Sequence, residues 1–546
     1  GRDGGFSASA KRYHLGKELL SFASDNFLPL ALVTGVGLGF KLSCFRRKKM
    51  SRFFAREEIQ EVQGTHINNR TMVGIISGLP SEMRRHLLSF LPIRVAALTS
   101  SLSRDWRDEF CMTPTLKLRL DDDTDDMIPF ISFVNRIVSI RGPDGDRSPL
   151  RKFHLTLHRV IDRHEADQGN LLFESANEWI NFSLAKGVTI LTLCFYQLPH
   201  QYDGLPEAIF VASSLVKLHI ATSHHATLFP STVSVLLPCL KSLRLDMVGL
   251  GDDGQGFYTL LSGCPIIEEL EMKDLAWFAW SSSSVCSSTL KVLSICWDFY
   301  AHEDERHQRP ASVSFVTPNL LYLDYNDDTA GDYKALDFAS LVEAEVRLHL
   351  RVEQGDGSDS DEDEDELEIP QQEDASDFFK AICNVQKLLL HADTLQVLAF
   401  GCLTIHPFPN LTELIIESYH HDQLSDWDSV PLLLNNCPQL HTLVFMGLTH
   451  QPKNTCGNVC RCEGGVVPAH SCLQASPVKV LKIYDVGQAA LEMDRFIGMV
   501  RHFLVTMPHL ESFLVYCDGS AETRMNLSRG IRRIQGKASP MCRIQV

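Results

Sequence analysis

The sequence predicts an α/β fold in which a short helical module precedes a long, irregular solenoid of parallel strands. Three observations support this prediction. An apolar string with the pattern L-x-x-L-x-L recurs between residues 188 and 515, and a short segment near residue 90 has apolar residues at helical spacing. An acidic run interrupts the recurring strings once. The 546 residues suffice for roughly two to four domains of ordinary size.

The composition is that of a globular protein, with 44% apolar and 22% charged residues. The formal net charge of -17 is concentrated in residues 353–374, which hold 12 Asp/Glu and no Lys/Arg, so the remainder carries -17 + 12 = -5. This near-neutral remainder argues against a nucleic-acid-binding protein. Sixteen cysteines are too few for a disulfide scaffold, which predicts reduced thiols and a nuclear or cytoplasmic protein.

The N-terminal region contains one apolar run, FLPLALVTGVGLGF, at residues 27–40. The run is shorter than the roughly 20 residues that a spanning helix needs, and its basic cluster follows it, whereas a signal peptide has basic residues first. Residues 19–40 resemble an early membrane segment of plant bile-acid:sodium symporter-type carriers. We interpret residues 1–70 as a disordered or fused extension. A membrane anchor is the alternative interpretation.

Residues 75–110 read IISGLPSEMRRHLLSFLPIRVAALTSSLSRDWRDEF and predict three short helices. Pro80 suits the first turn of a helix, Pro92 ends that helix and can open a second, and Ser103 can cap a third. Three such helices bury little core, so the module needs a partner or the following domain to hold it. The first helix has an apolar face made of Met83, Leu87, Leu88 and Leu91.

The same string resembles the plant F-box. In that family the motif binds the Skp-type adaptor of an SCF ubiquitin ligase, and a few apolar and aromatic anchors are expected to dominate such an interface. Three residues depart from the family pattern: Arg84 replaces an apolar residue, Leu98 an Arg and Ser101 a Val. The resemblance implies an adaptor-binding set of Ile76, Leu79, Pro80, Leu87, Leu88, Leu91, Pro92, Leu102 and Trp106.

The recurring strings have starts 23 to 30 residues apart in a first set and 26 to 38 apart in a second set. A period of about 20–29 residues with this pattern is the signature of leucine-rich repeats, LRRs. Each string predicts a short strand whose alternate residues enter a shared core while neighbouring strands stack into a parallel sheet. The strings begin at Val188, Leu215, Leu240, Ile267, Leu290, Leu320, Val385, Leu411, Leu440, Val478 and Leu510.

A proline often stands two residues before a string, where the missing N–H is harmless at the entrance of a strand. The preceding Cys264 and Cys437 are interpreted as small buried hydrophobes. The Asn that follows the strand in regular repeats is missing, which predicts an irregular, somewhat open solenoid. An ordinary α/β domain with Leu-rich strands is the alternative. The prolines are Pro238, Pro265, Pro318, Pro409, Pro438 and Pro508.

An F-box followed by C-P-x-L-x-x-L-x-L strings resembles the plant F-box/LRR family. The C-terminal segment MVRHFLVTMPHLESFLV resembles the FBD region of that family, with an amphipathic helix, a Pro turn and a strand. The predicted organisation is an extension at 1–70, an F-box at 71–112, a connecting region at 113–187, repeats at 188–350, an acidic disordered insert at 351–377, repeats at 378–450, a Cys-containing loop at 451–477, an FBD-like region at 478–516 and a tail at 517–546.

No P-loop, HExxH or GxSxG motif occurs in the sequence. We therefore predict a protein without catalytic residues, cofactor or resident metal. Zinc binding is the alternative interpretation of the Cys-containing loop, although its C-x-C spacing is tighter than usual zinc knuckles. The candidate ligands would be Cys456, Cys460, Cys462, His470 and Cys472.

The resemblance implies the substrate-recognition subunit of an SCF-type cullin ubiquitin ligase. Its partners would be the Skp-type adaptor, through it the cullin and RING subunits, and an unknown target protein bound on the concave side of the strands. Neither nucleic acid nor a membrane is an expected partner. The alternative is a stand-alone LRR protein-binding module with a decayed F-box, a reading that Arg84 keeps open.

Overall fold

The computed structural model describes most of the chain from residue 79 onward. The predicted extension, Ile76, Pro92, Leu102 and residues 351–373 of the acidic insert lie outside the described residues. The described ranges are 79–91, 93–100, 103–121, 126–142, 150–158, 166–196, 204–227, 234–249, 254–275, 280, 283–297, 311–350, 374–402, 404–420, 423–424, 427–448, 450, 459–460, 472–485, 493–517, 519–534 and 542–545.

The chain divides into two compact units. The first comprises residues 1–228 and 233–240, and the second comprises 229–232 and 241–546. The described elements of the first unit are α1 Ser81–Phe90, α2 Ile93–Thr99, α3 Arg104–Cys111, β1 Thr115–Asp121, α4 Met127–Arg141, β2 Lys152–His158, α5 Ala166–Ala185, β3 Ile190–Phe195, a 3₁₀ helix Glu207–Val211 and β4 Lys217–Thr227.

The first three helices form the predicted helical module. Pro80 precedes α1 in an extended conformation, and the Ser103 hydroxyl accepts a hydrogen bond of 3.3 Å from the backbone N–H of Trp106 at the start of α3. This is the capping contact that the sequence predicts. Leu88, Trp106 and Phe110 are buried, so the helices pack through a small apolar centre.

Arg141, the last residue of α4, attaches the helical module to the sheet of the first unit. Its guanidinium donates to the backbone oxygens of Phe110 and Thr113, both at 3.0 Å, and to the Thr113 hydroxyl at 2.6 Å. These acceptors lie in the last turn of α3 and just before β1, where carbonyls at a helix end lack helical partners. Burial lowers the pKa of Arg141 to about 10, so it remains a cation at neutral pH.

The sheet of the first unit is parallel in the order β1-β2-β3-β4. One row of register partners, Leu116, Phe153, Leu191 and Leu218, is almost completely buried. Two of these strands lie in the predicted connecting region, before the first string that the sequence reveals at Val188. They have the same triplet of buried positions: Thr113, Leu116 and Leu118 in one, and Leu150, Phe153 and Leu155 in the other.

The second unit holds the remaining described elements. These are β5 Ser242–Gly249, α6 Gln255–Ser262, β6 Glu269–Lys273, β7 Ser283–Cys286, β8 Val292–Cys296, β9 Val313–Val316, β10 Tyr322–Asp328, β11 Tyr333–Asp337, β12 Glu343–His349, α7 Ser376–Ala381, β13 Lys387–Leu390, α8 Ala392–Phe400, β14 Glu413–Glu417, β15 Tyr419–His420, β16 Gln423–Leu424, α9 Val430–Asn435, β17 Thr442–Met446, α10 Cys472–Ala475, β18 Val480–Asp485, α11 Met493–Thr506, β19 Ser512–Cys517, α12 Ala521–Ile534 and β20 Arg543–Gln545.

Eleven of these strands form one parallel sheet in the order β5-β6-β8-β10-β12-β13-β14-β17-β18-β19-β20. All three apolar positions of every predicted string are buried, which confirms the predicted fold class. The strand β12 fills the predicted gap between two strings. Its buried triplet, Leu341, Ala344 and Val346, has an alanine where the other strings have a large apolar residue.

Most strands of the two long parallel sheets begin with the same backbone arrangement. In one example the N–H groups of Glu268 and Glu269 both donate to the Lys241 oxygen, at 2.9 and 2.8 Å, and the same pairing recurs along the sheet. The prolines occupy the turn just before it: the N–H of Leu240 donates to the Leu237 oxygen at 3.2 Å across Pro238. Proline has the backbone angle that this turn position requires, which explains its spacing.

The segments that connect one strand of the parallel sheet to the next, here called the returns, differ along the second unit. A three-stranded parallel sheet, in the order β11-β9-β7, lies in the returns between β6 and β12, and helices such as α6, α9 and α11 lie in other returns. The predicted FBD-like segment forms a helix, a turn at Pro508 and a strand, as its pattern predicts. Beyond it, the predicted tail contains α12 and β20, and β20 pairs with β19. Buried Cys264 and Cys437 confirm the interpretation of these thiols.

The buried triplets predict how much the free energy of unfolding falls when one of their side chains is shortened. We expect Leu443→Ala, at a completely buried position, to lower the free energy of unfolding by about 2–5 kcal/mol, because it removes apolar contacts and leaves a cavity. The matched control is Leu432→Ala on α9, where the side chain is 55% exposed and the change should be within about 0.5 kcal/mol. Urea denaturation measures both, and equal effects would contradict the core assignment.

Candidate functional site

The predicted adaptor-binding residues occupy two different environments. Leu88, Leu91 and Trp106 are buried, so their side chains hold the three helices together. Leu79 and Leu87 are half-buried, and Pro80 is exposed at the start of α1. Of the predicted adaptor-binding residues that the structure describes, only this second group therefore offers surface to a partner.

Three apolar side chains of α1 and α2 are exposed although the sequence does not select them as anchors. The exposed fractions are 53% for Met83, 39% for Phe90 and 53% for Leu98. Helical spacing places Met83 on the apolar face of α1 but does not distinguish a residue that packs inside from one that waits for a partner. The sequence offers one signal of an exposed apolar side chain: Leu98 stands where the family commonly has an Arg, a residue type that is usually exposed.

Arg84 has a partner inside the module. Its guanidinium lies 3.4 Å from a Glu109 oxygen, and Arg85 lies 2.6 Å from the other oxygen, so the carboxylate of α3 is held by two cations of α1. Burial raises the pKa of Glu109, but hydrogen bonds from Ser81 and Arg85 outweigh it and the pKa is lowered. The residue that departs from the family pattern thus joins two helices of the module.

The second candidate surface is the outward face of each sheet, which we define as the face that carries the residues between the buried positions. In the second unit this face begins with paired charges. Arg244 lies 2.9 Å from Asp246 on its own strand and 2.6 Å from Glu271 on the next strand. Farther along, Lys387 lies 2.7 Å from Glu343.

A buried polar network occupies the outward face at β12–β14. The His391 ring nitrogens contact Glu345, at 3.1 Å, and Glu417, and Arg347 lies 3.4 Å from Glu417. Burial alone would lower the pKa of His391, but the two carboxylates outweigh burial and raise it. The network therefore favours an imidazolium between two carboxylates.

Asp324 and Glu345 are register partners on adjacent strands and are only 8% and 7% exposed. The Ser294 hydroxyl donates to Asp324 at 2.9 Å. Burial first, and then the charge of Glu345, raises the pKa of Asp324 to about 7. Two carboxylates that lie side by side in a buried environment cannot both ionise easily, so Asp324 holds a proton near neutral pH.

Beyond the network the outward face becomes apolar. Leu389, Ile415 and Val444 are buried in adjacent strands, with Met446 and Tyr484 packed against them. The rings of Tyr484 and Tyr516 are stacked, with centroids 4.6 Å apart and planes 11° apart, and Tyr516 is exposed. Apolar side chains at outward positions are the feature that the repeat pattern cannot predict.

The candidate zinc ligands are only partly described. Cys460 and Cys472 are buried, whereas Cys456, Cys462 and His470 lie outside the described residues. The Sγ of Cys460 lies 3.1 Å from the Nε2 of His450. Among the described residues no group of three His, Cys, Asp or Glu side chains is arranged to hold a metal ion. Likewise, no helix in the described part of the chain is long and apolar enough to cross a membrane.

The raised pKa of Asp324 predicts a pH-dependent stability. The folded protein binds this proton more tightly than the unfolded chain, whose value is 3.8, so ionisation costs stability as the pH rises from about 4 through 7. We expect Asp324→Asn to stabilise the protein at pH 8 by about 1–2 kcal/mol, and the gain to shrink at pH 5. Urea denaturation at both pH values tests this. Asp332→Asn, an exposed control, should show no such gain.

Comparison with known proteins gives the same family from two directions. A family model described as FBD-associated F-box protein At5g56370, LRR repeats, matches residues 176–310. The F-box/LRR-repeat protein At3g59200 of Arabidopsis thaliana is 38% identical over 485 residues, which cover 86% of this chain and 88% of that protein. The putative F-box/FBD/LRR-repeat protein At3g59240 of the same plant is 35% identical and covers 81% and 83%, respectively.

None of these matches supports the resemblance of residues 19–40 to a symporter fragment. The matches instead cover the repeats and, in the relatives, most of both chains. The helical module, the parallel strands with their buried triplets and an identity above one third over most of the chain lead to one conclusion: this chain belongs to the plant F-box/LRR-repeat family.

Proposed function

We propose that this protein is the substrate-recognition subunit of an SCF-type cullin ubiquitin ligase. Helices α1–α3 bind a Skp-type adaptor, and the outward faces of the repeats bind a target protein. The protein itself contributes proximity: it raises the effective concentration of a target lysine near the ubiquitin thioester and performs no bond chemistry. It acts in the nucleus or the cytoplasm.

The observation that carries this proposal is the exposed apolar surface of the helical module. Met83, Leu87 and Phe90 recur at helical spacing along one side of α1, and Leu98 is exposed on α2. The core of these helices is already filled by Leu88 and Trp106. Clustered exposed apolar residues mark protein interaction sites more often than isolated ones. The predicted anchors Ile76, Pro92 and Leu102 lie outside the described residues and remain part of the proposed set.

A stand-alone LRR protein-binding module is the second candidate function. Arg84 favours this alternative at the level of the sequence, because a cation stands where the family pattern has an apolar residue. The ion pairs of Arg84 and Arg85 with Glu109 give that cation a place within the module. The departure at Arg84 therefore favours this alternative less than the sequence alone suggests.

The proposal predicts the result of adaptor capture. The full-length protein should retain a plant Skp-type adaptor, and Met83→Glu/Leu98→Glu should weaken that binding at least about tenfold, because buried interface positions do not tolerate unpaired charges. The pair Leu79→Ala/Pro80→Ala should weaken it as well. Binding is measured by titration with purified adaptor.

The matched control is Ile140→Glu/Leu171→Glu, which adds two carboxylates at exposed apolar positions of α4 and α5, outside the helical module. It should leave adaptor binding unchanged. If the unmodified protein fails to bind the adaptor, the ligase role is wrong and the stand-alone module stands. If both double variants weaken binding equally, the adaptor does not use α1 and α2.

A further inference from the structure

The outward face of the first unit is basic, although the chain as a whole is acidic. Its strands carry four Lys/Arg and one acidic residue, Asp121, at the outward positions that have register partners. The formal net charge of the chain is -17. The four cationic residues, all exposed, are Lys117, Arg119, Lys152 and Lys217.

The register of the strands fixes the spacing of these charges. Lys152 and Lys217 share one row, with Ile190 between them, so their strands are two spacings or about 10 Å apart. In the next row, Lys117 is the register partner of His154, and His219 lies two strands farther on. The cations therefore form a patch across the sheet rather than a single line along one strand.

His154 lies at the centre of this patch and responds to its charge. Burial lowers the pKa of His154 to about 4, and the charges of Lys117, Lys152 and His219 act in the same direction. An anion bound over the patch would oppose those charges. The ring of His158, at the edge of the patch, lies 4.1 Å from that of Tyr196, which is 45% exposed and offers an apolar contact beside the charges.

We propose that this basic face binds an extended acidic segment of the target protein, an inference that rests on the proposed function. An extended segment in the polyproline II conformation advances about 3.1 Å per residue with three residues per turn, so two carboxylates three residues apart lie on one side about 9 Å apart. This distance is close to the separation of the strands that carry Lys152 and Lys217. The net negative charge of the chain disfavours a nucleic acid. Its long array of phosphates would extend beyond this patch and would be repelled by the rest of the chain. A short peptide meets mainly charges within a Debye length of about 8–10 Å.

The test uses the full-length protein and a fluorescent deca-glutamate peptide at about 0.1 M NaCl, where the Debye length is about 10 Å. We expect binding by fluorescence anisotropy that weakens as NaCl is added. Lys117→Glu/Lys152→Glu should weaken it at least about tenfold, because attraction is replaced by repulsion at two positions of the patch. The control Lys334→Glu/Lys380→Glu makes the same charge change at exposed positions of the second unit and should keep the affinity within about twofold.

Three results would overturn the proposal: no peptide binding by the unmodified protein, equal losses in the two variants, or tighter binding of a single-stranded DNA oligonucleotide with ten phosphates. Adaptor capture by the same proteins separates this proposal from the ligase role. If the unmodified protein captures the adaptor but does not bind the peptide, the basic face is refuted and the ligase role is not. Loss of adaptor capture by the unmodified protein refutes the ligase role whatever the peptide does.

Discussion

The shared backbone acceptor at the start of most strands in the long parallel sheets is the constraint on which the repeats depend. At each such start, one carbonyl oxygen at the entrance of the preceding strand accepts hydrogen bonds from two successive N–H groups at the entrance of the next strand. The Lys241 oxygen, for example, accepts from Glu268 and Glu269. This arrangement sets the strands parallel and in register, so every return segment must cross back to the same side. Residues at equivalent positions of successive repeats consequently lie in rows, and each row faces either the core or the outside.

Because the residues lie in rows, the inward face of the sheet and its outward face are subject to different constraints. Inward rows are filled by Leu, Ile, Val, Phe and Met, because burying these side chains is the main favourable term in folding. Outward rows are not constrained in this way and change character along the chain. They carry exposed cations in the first unit, and paired charges, a buried network around His391 and an apolar cluster around Ile415 in the second. Recognition chemistry can thus vary without disturbing the core.

The sequence predicts the inward rows well because their pattern repeats, and it predicts poorly where one position is small or polar. The strands β1 and β12 escape notice because Thr113 and Ala344 occupy positions that are elsewhere large and apolar. The strand β2, with Leu150, Phe153 and Leu155, has the full pattern and was within reach of the sequence. The exposure of Met83 was also beyond prediction, since helical spacing gives the direction of a side chain and not what covers it. The partner of Arg84, 25 residues away on α3, could be found only once the helices were packed.

The buried guanidinium of Arg141 gives the first unit a mechanical role as well. From the end of α4 it donates three hydrogen bonds to Phe110 and Thr113, so it ties α4 to the segment that leads from the helical module into β1. Proximity catalysis depends on such a fixed relation, because a flexible link spreads the bound target over a larger volume and lowers its effective concentration. In this unit, a partner on α1 and α2 and a segment on the outward face of β1–β4 would be held by one continuous body. The attachment at Arg141 therefore connects the folding of the module to the geometry that the proposed function requires.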